Sequence, residues 1–509
     1  MPPTPPSLAT REGVADIARR QGRERPDETA LWFEGRATSY RELDALSSRC
    51  ANALIAAGVK PGDRVATLAK GRDDFFILWL GALKARACLT PVNWRLAGPE
   101  IAFVIEDAGA EVLIRGEEFT DHGAGLATVI EFADFRGWIA GHGAADPMLA
   151  AEADDDVIQL YTSGTTGLPK GVQLTERNYA ALFASATQQW GRFESGDPVL
   201  VAMPLFHVAG ANMGMLGLLQ GARCVVMREA DPGAILRLVE EHQIRQAFLV
   251  PALINMILQH PAIEGADLTC LEQVYYGASP ISEDVLKRAQ ARFGASFTQL
   301  YGLTETIGVG SWLSPAAHGE GRLRSCGVAS PGVELRIRVD GHAAAPGKVG
   351  EIEIRSDGVM KGYWKRPEAT ARAIDADGWF RSGDAGYFDD EGYLYIHDRV
   401  KDMIVTGGEN VYPAEVENAL FGHPAVADAA VIGVPDERWG EAVKAVVVLR
   451  PGADTDAAAI IAHCRARIAG YKTPKSVDFV EALPRNPSGK VLRRELREPH
   501  WRGKDRLVG

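Results

Sequence analysis

Through the first 400 residues, short runs of Val, Ile and Leu alternate with longer stretches in which apolar residues recur at helical spacing. GDRVATLAK reads as a strand, and DDFFILWLGALKA after it as a helix. Further strands are expected at 111–114, 156–161, 198–203, 246–250 and 273–276, each followed by Gly, Pro or Ser and then helical spacing. That alternation predicts a layered α/β architecture, in which ligands sit beyond the carboxyl ends of strands. From about Gly332 the pattern changes to short β segments (VELRIRV, GEIEIRS) with Gly/Asp turns, ending in the hairpin-like FDDEGYLYIHDR. A smaller β-rich subdomain is expected there. After Asp398 come strands AAVIGV and KAVVVL and helices around Pro413–Leu420 and Thr455–Ile468, which predict a separate small α+β domain. The division is 1–398 for the large N-terminal domain of several subdomains and 399–509 for a small mobile one, with the boundary at Arg399 to Asp402.

A length of 509 residues gives a prior of roughly three units at about 150 residues each. The composition, 46% hydrophobic and 24% charged, excludes a disordered or collagen-like chain. The net charge of −12 argues against a protein that lives on nucleic acid or anionic lipid, so an anionic ligand must be held by local features. The charge divides unevenly: 38 Lys/Arg against 52 Asp/Glu before residue 399, and 17 against 15 after it. Six cysteines without a CxxC pair or a Cys/His cluster indicate neither a disulfide framework nor zinc, and suit a reducing cytoplasm. The opening MPPTPPSLATREGVADIARRQ lacks the apolar stretch of a signal peptide. The uncharged stretch 198–222 is broken by Pro204, His207, Asn212, Gln220 and glycines, so it reads as strand, loop and helix rather than a membrane span.

The strongest chemical signal is YTSGTTGLPKG, residues 161–171, directly after the apolar DVIQLY. Gly164 and Gly167 let backbone N–H groups wrap an anion, the hydroxyls of Thr162, Ser163, Thr165 and Thr166 add donors, and Lys170 adds charge. This is a phosphate-binding loop. It is not a Walker A loop, because Lys170 is neither preceded by glycine nor followed by Ser or Thr. The bland alternative, a flexible Gly/Thr turn, does not suit so dense a run after a buried strand.

TSGTTGLPKG resembles the signature loop of the adenylate-forming ligases, the superfamily of acyl-CoA synthetases, luciferases and peptide-synthetase adenylation domains. The resemblance continues in order through MPLFHVAG (203–210), YYGASP (275–280), QLYGLTET (299–306), GYWKRPEAT, GWFRSGD (378–384), DRVKDMIVTGGENVYP (398–413) and PRNPSGK (484–490). It implies an enzyme in which a carboxylate attacks the α-phosphorus of ATP to give acyl-AMP and pyrophosphate, and a thiol then displaces AMP. By that resemblance Glu305 is the Mg²⁺ ligand, with the Thr162 hydroxyl as a second contact, since hard oxygen donors suit the ion. Asp384 grips the ribose hydroxyls, and Arg399 adds a contact from the domain junction. Ser279, Tyr301, Gly302 and Thr304 line the AMP pocket, with a plain core aromatic as the alternative for Tyr301. Lys490 is the catalytic lysine, bridging carboxylate and α-phosphate. Lys401 is the hinge about which the C-terminal domain swings between half-reactions. CoA is the implied thiol, with Gly408 of TGGEN, Trp439, Tyr471 and Lys475 as its contacts, although Thr473 stands where some aryl ligases carry a basic residue. Dimers are common in the family, so a homodimer is also expected.

The acid pocket, again by resemblance, is formed by His207, Val208, Ala209, Gly210, Met213, Tyr276, Gly277, Ala278, Gly302, Ile307, Gly308 and Val309. No arginine stands there to hold a second carboxylate, and no aspartate follows FH to hold an amino group, which disfavours dicarboxylic and amino acids. His207 is read as a gate for the carboxylate rather than a base, because that group is already ionised at pH 7. Two acids remain. A planar hydroxycinnamate-type acid would use the glycines as a flat slot, with Tyr276, Asn212 or Trp312 near its substituents, and is the favoured reading. A medium- or long-chain fatty acid would use the small residues as a tunnel mouth. Ala209, where coumarate ligases often carry tyrosine, weighs against the aryl case. A luciferase-like oxygenase or an inactive nucleotide-binding homologue is the alternative of another class, opposed by the presence of Thr162, Lys170, Glu305, Asp384 and Lys490.

Overall fold

The computed structural model describes residues 13–162, 169–189, 196–279, 281–319, 321–399, 402–406, 409–436, 439–485 and 489–502, with side chains of 397–399 and 409–410 outside the description. Ser163, Gly164, Thr165, Thr166 and Gly167 of the expected phosphate loop, the expected hinge Lys401 and the expected CoA contact Gly408 lie outside the described residues.

Two large sheets carry the body. One has nine strands, whose central run is parallel: Ser296–Tyr301, Gln273–Gly277, Gln246–Phe248, Pro198–Val201, Arg223–Val226 and Thr29–Phe33. The other has seven, with Asp156–Thr162 between Lys170–Thr175 and Cys88–Pro91. The helix Asp74–Lys84 (DFFILWLGALK) is apolar on every side, and all eleven of its residues are buried. It touches both layers. Trp79 donates through Nε1 to the Val157 carbonyl of the seven-stranded sheet at 3.1 Å, while Phe76 packs on Gly214 of the helix Val208–Gln220.

The expected β-rich subdomain is a five-stranded antiparallel sheet built from Glu334–Val339, Gly350–Arg355, Phe380–Phe388 and Leu394–Arg399, with His342–Ala343 at its edge. Beyond it, Val426–Asp436 and Gly440–Leu449 form a long hairpin, flanked by Ile404–Thr406 and Ser476–Phe479. Helices Pro413–Phe421 and Ala457–Arg465 close a core of Val416, Leu420, Val431, Val443 and Ile460 that is separate from the main one. The second helix is shorter than its sequence pattern suggests because Asp456 caps it, accepting from the Ala459 N–H at 2.8 Å. Asp402 is buried and paired with Arg497 (3.0 Å) and Arg493 (3.8 Å) of the terminal helix Arg493–Trp501. Between the units, the Asn255 amide donates to the Ala427 carbonyl at 3.1 Å.

One expectation is corrected here. The strand before the Gly/Thr loop is not followed directly by a helix. It pairs antiparallel with Lys170–Thr175, so the loop caps a hairpin and the helix Glu176–Gln189 comes only after its second strand. Among the described residues, no helix is long and apolar enough to cross a membrane.

Candidate active site

The strands Gln273–Gly277 and Ser296–Tyr301 end side by side, and the chain leaves each in an unusual conformation. Ala278 (φ +66°) and Ile307 (φ +53°) are left-handed without being glycine, a cost of the order of 1–3 kcal/mol each that is tolerated where a site demands it. Ser279 follows Ala278, and Gly302 follows Tyr301. Gly302 has no alternative: a Cβ there would lie 2.3 Å from the Gly308 carbonyl carbon. The turn 302–308 therefore closes on itself backbone to backbone and forms a thin wall. Gly308 faces the helix Val208–Gln220, with Val208 Cγ2 and Asn212 Nδ2 3.8 and 3.9 Å from where its Cβ would stand.

Asp384 is buried on the strand Phe380–Phe388, and its Oδ2 accepts from the Tyr301 hydroxyl at 3.0 Å. Burial, and then the charge of Asp384, hold that phenol well above the usual tyrosine range, so it remains a donor. Tyr301 is thus more than a core aromatic: it orients the carboxylate expected to meet ribose. Arg399 stands directly across from Asp384 in the strand pairing.

A second cluster surrounds Glu305. Its Oε1 accepts from the Tyr363 hydroxyl at 2.9 Å, and its carbonyl accepts from the Met360 N–H at 2.7 Å. Tyr363 belongs to the short strand Gly362–Tyr363, which pairs with Lys170–Thr175, and the Lys170 ammonium lies 5.0 Å from its ring centroid. Thr162 and Lys170 are opposite one another across the hairpin. One aromatic side chain therefore links the expected metal ligand to the expected phosphate lysine. GYWKRPEAT is legible as a motif, but nothing in its spacing reveals that Tyr363 reaches Glu305; only the strand pairing does so. For Mg²⁺, the half-buried Glu305 carboxylate, linked through Tyr363 to the hairpin that carries Thr162 and Lys170, is a fitting donor, since that ion is commonly held by one or two carboxylates together with substrate phosphates. No group of three or more His, Cys, Asp or Glu able to hold a metal occurs among the described residues.

His207 caps the helix Val208–Gln220 from an extended conformation. Its Nε2 is buried without a hydrogen-bond partner among the described residues. Burial, reinforced by the positive charge of Arg95, pushes its pKa down to about 4, so the ring is neutral at pH 7. Gly210 brings this helix within 2.2 Å (would-be Cβ) of the Met203 carbonyl. Val208, Ala209, Gly210 and Met213 of the expected pocket lie on this helix, and Gly302, Ile307, Gly308 and Val309 on the turn after the strand Ser296–Tyr301.

Two residues of the expected pocket have partners within the protein. The Tyr276 side chain turns to the opposite face of the sheet from Leu300 and the helix Glu176–Gln189, packing on Phe297 (6.1 Å) and His318 (5.9 Å). Its hydroxyl meets His318 Nε2 at 3.0 Å. His318 Nδ1 lies 2.7 Å from the Ser314 carbonyl, which can only accept, so Nδ1 carries the proton and Nε2 accepts from the tyrosine. Asn212 is likewise committed, accepting from Tyr179 at 3.1 Å and donating to the Ile307 carbonyl at 2.9 Å. Both side chains therefore have hydrogen-bond partners within the protein.

The turn carrying Lys490 rests on the large body. Gly489 packs against Val250 and Ala252, beyond the carboxyl end of the strand Gln246–Phe248 in the same sheet. Trp439 (41%) and Tyr471 (40%) are exposed on the small unit, and Lys475 donates to the Gly470 carbonyl at 3.2 Å. Thr473 is fully buried, its hydroxyl turned to the Ala469 carbonyl.

Comparison with known proteins bears directly on this arrangement. The family model described as AMP-binding enzyme matches residues 18–364, and that of the AMP-binding enzyme C-terminal domain matches 415–490. A feruloyl-CoA synthase from Amycolatopsis sp is 41% identical over 488 residues, covering 96% of this chain and 99% of the relative. The fatty acid–[acyl-carrier-protein] ligase ScoC of Streptomyces coeruleorubidus is 40% identical over 496 residues, covering 95% of each. The ATP-bound crystal structure of MatB from Rhodopseudomonas palustris superposes with a TM-score of 0.87 at 32% identity, over 95% of this chain and 98% of MatB. The chain accordingly belongs to the AMP-binding enzymes and is an AMP-forming acid–thiol ligase of the acyl-CoA synthetase type, working with ATP, Mg²⁺ and CoA.

Proposed function

We propose that this ligase activates a hydrophobic monocarboxylic acid, and that the acid is a planar aryl one of the hydroxycinnamate type. The observation that carries this reading is the glycine wall: Gly302 and Gly308 meet backbone to backbone, and Gly308 turns toward Val208 and Asn212, so the wall has no side chain to stand in the way of a flat ring. The likeness to a feruloyl-CoA synthase supports it. The fatty-acid reading has its own support in the likeness to ScoC and in the small Ala209.

In this reading the acid lies in the groove with its carboxylate near neutral His207, which excludes water without adding charge. Asp384, steadied by Tyr301, accepts from the ribose hydroxyls, and Lys170 with the Gly/Thr loop holds the phosphates. Mg²⁺, when bound at Glu305 and Thr162, supplies neutralisation of phosphate charge. Lys490 stabilises the negative charge that builds as the carboxylate oxygen bonds to the α-phosphorus and pyrophosphate leaves. Domain 399–509 then turns about Lys401, withdrawing Lys490 and presenting Gly408, Trp439, Tyr471 and Lys475 to CoA. Six unpaired cysteines suit a cytoplasmic setting, and a homodimer is the proposed assembly.

The deciding experiment is AMP formation from ferulate, coumarate, benzoate, octanoate and palmitate, each with and without CoA. Strong CoA-dependent turnover of the first two is expected. Turnover confined to octanoate and palmitate would move the assignment to fatty acids, and AMP formation indifferent to CoA would point to another thiol.

A further inference from the structure

Behind Gly308 lies a small recess lined by Leu182, Ser185, Gln189, Leu300 and Val309, with room for a single water-sized group. Gly308 borders both spaces: it faces Val208 and Asn212 on the acid groove and also lines the recess. Gly308 is thus shared by the recess and the face turned to Val208 and Asn212, and in the proposed reading the distal end of the acid lies there. The walls of the recess are mixed: Ser185, Ser311, Ser330 and Gln189 stand among Leu182, Leu300 and Val309, and Ser311 is already engaged, donating to the Cys326 carbonyl at 2.7 Å. Gln189, the last residue of the helix Glu176–Gln189, is the one of these polar side chains with a buried atom left without a partner among the described residues. It is only 8% exposed, and its Nε2 is buried with no hydrogen-bond partner among the described residues. Buried amide N–H groups are nearly always satisfied in folded proteins, so one left open at the end of a substrate pocket implies a partner that arrives with the ligand.

We infer that Gln189 is a specificity-determining residue that donates from Nε2 to an oxygen at the far end of the acid. The preferred substrates are therefore acids bearing a distal hydroxyl, methoxy or keto oxygen. A plain hydrocarbon end expels the water from the recess and leaves the amide unpaired, which is the arrangement that discriminates most strongly between near-identical substrates. The inference rests on the groove assignment above and deepens it, because an oxygen-substituted ring satisfies both the flat wall and the amide. It does not depend on the ring, since an oxygen on an alkyl chain would serve the same donor.

The test uses two matched pairs on the full chain: 4-hydroxycinnamate against cinnamate, and 8-hydroxyoctanoate against octanoate. The wild type is expected to favour the oxygenated member of whichever pair it accepts by about tenfold in kcat/KM. Gln189→Leu should abolish that ratio through KM, with an unchanged melting temperature reporting that the variant is folded. Gln189→Glu, an acceptor at the same place, should still take 4-hydroxycinnamate, whose hydroxyl can donate, but reject 4-methoxycinnamate. It carries the test if the leucine variant does not fold. A wild type with no preference, or a ratio that survives both substitutions, would mean that Gln189 holds only a water and would overturn the inference. Activity confined to the octanoate pair would overturn the aryl reading while still testing Gln189 there.

Discussion

The groups expected to act on ATP and those expected to meet CoA occupy very different surroundings. Asp384 and Tyr301 are buried, joined to each other, and fixed by strands from two different sheets. Trp439 and Tyr471 stand about two-fifths exposed on a small unit with its own core. A charged transition state calls for donors that are already oriented, whereas a long, flexible thiol can be caught on an open surface and threaded inward. In the proposed reading the preorganised chemistry stands in the heavy part and the capture surface on the light part. Lys490 is the exception there: it would serve the first step from the small unit, on a turn whose Gly489 rests on Val250 and Ala252.

This contrast can be broken most sharply at Lys490. Lys490→Ala should lower acid-dependent pyrophosphate release by about 10²–10³-fold, yet leave thioester formation from supplied acyl-AMP nearly intact. Equal loss in both half-reactions would show that the light part is not divided in its work. The next largest effect belongs to Tyr363→Phe. Without the hydroxyl, Glu305 loses a charge-assisted hydrogen bond, and the KM for MgATP should rise about five- to tenfold. Excess Mg²⁺ should recover most of the rate; a variant indifferent to Mg²⁺ would show that Tyr363 only packs. Trp439→Ala should raise the KM for CoA about threefold to fivefold while adenylation is untouched, the scale of one aromatic stacking contact on an exposed surface.

The smallest expected effect concerns pH. His207 has a folded value near 4 against an ordinary 6.5. Because folding lowers it, the stability conferred by the buried neutral ring is fully present above about pH 6.5 and is lost as pH falls toward 4. The wild type should thus lose more thermal stability between pH 7 and 4 than His207→Asn does, and activity between pH 6 and 8 should show no inflection from this ring. Parallel stability curves for the two proteins would refute the assignment.

Much of this architecture is legible in the chain itself. Unbroken apolar runs such as DFFILWLGALK can only be buried, and the change to VELRIRV and GEIEIRS marks the β subdomain because alternation replaces continuity. What the sequence conceals is direction and distance. Tyr276 and Gly277 are neighbours on one strand but face opposite sides. Tyr363 and Glu305 are 58 positions apart and become partners only when the Gly362–Tyr363 strand joins the hairpin edge. Gln189 lies on a helix that carries no motif, and its importance comes from an unsatisfied atom rather than from any residue pattern.

The pairing of Asp402 with Arg493 and Arg497 has a mechanical meaning. It ties the chain just past the proposed pivot at Lys401 to the helix Arg493–Trp501, which begins three residues after Lys490. In the proposed swing, the stretch beside the pivot and the lysine that leaves are thus carried by one ion-paired piece, so a turn at the first would move the second as a rigid arm.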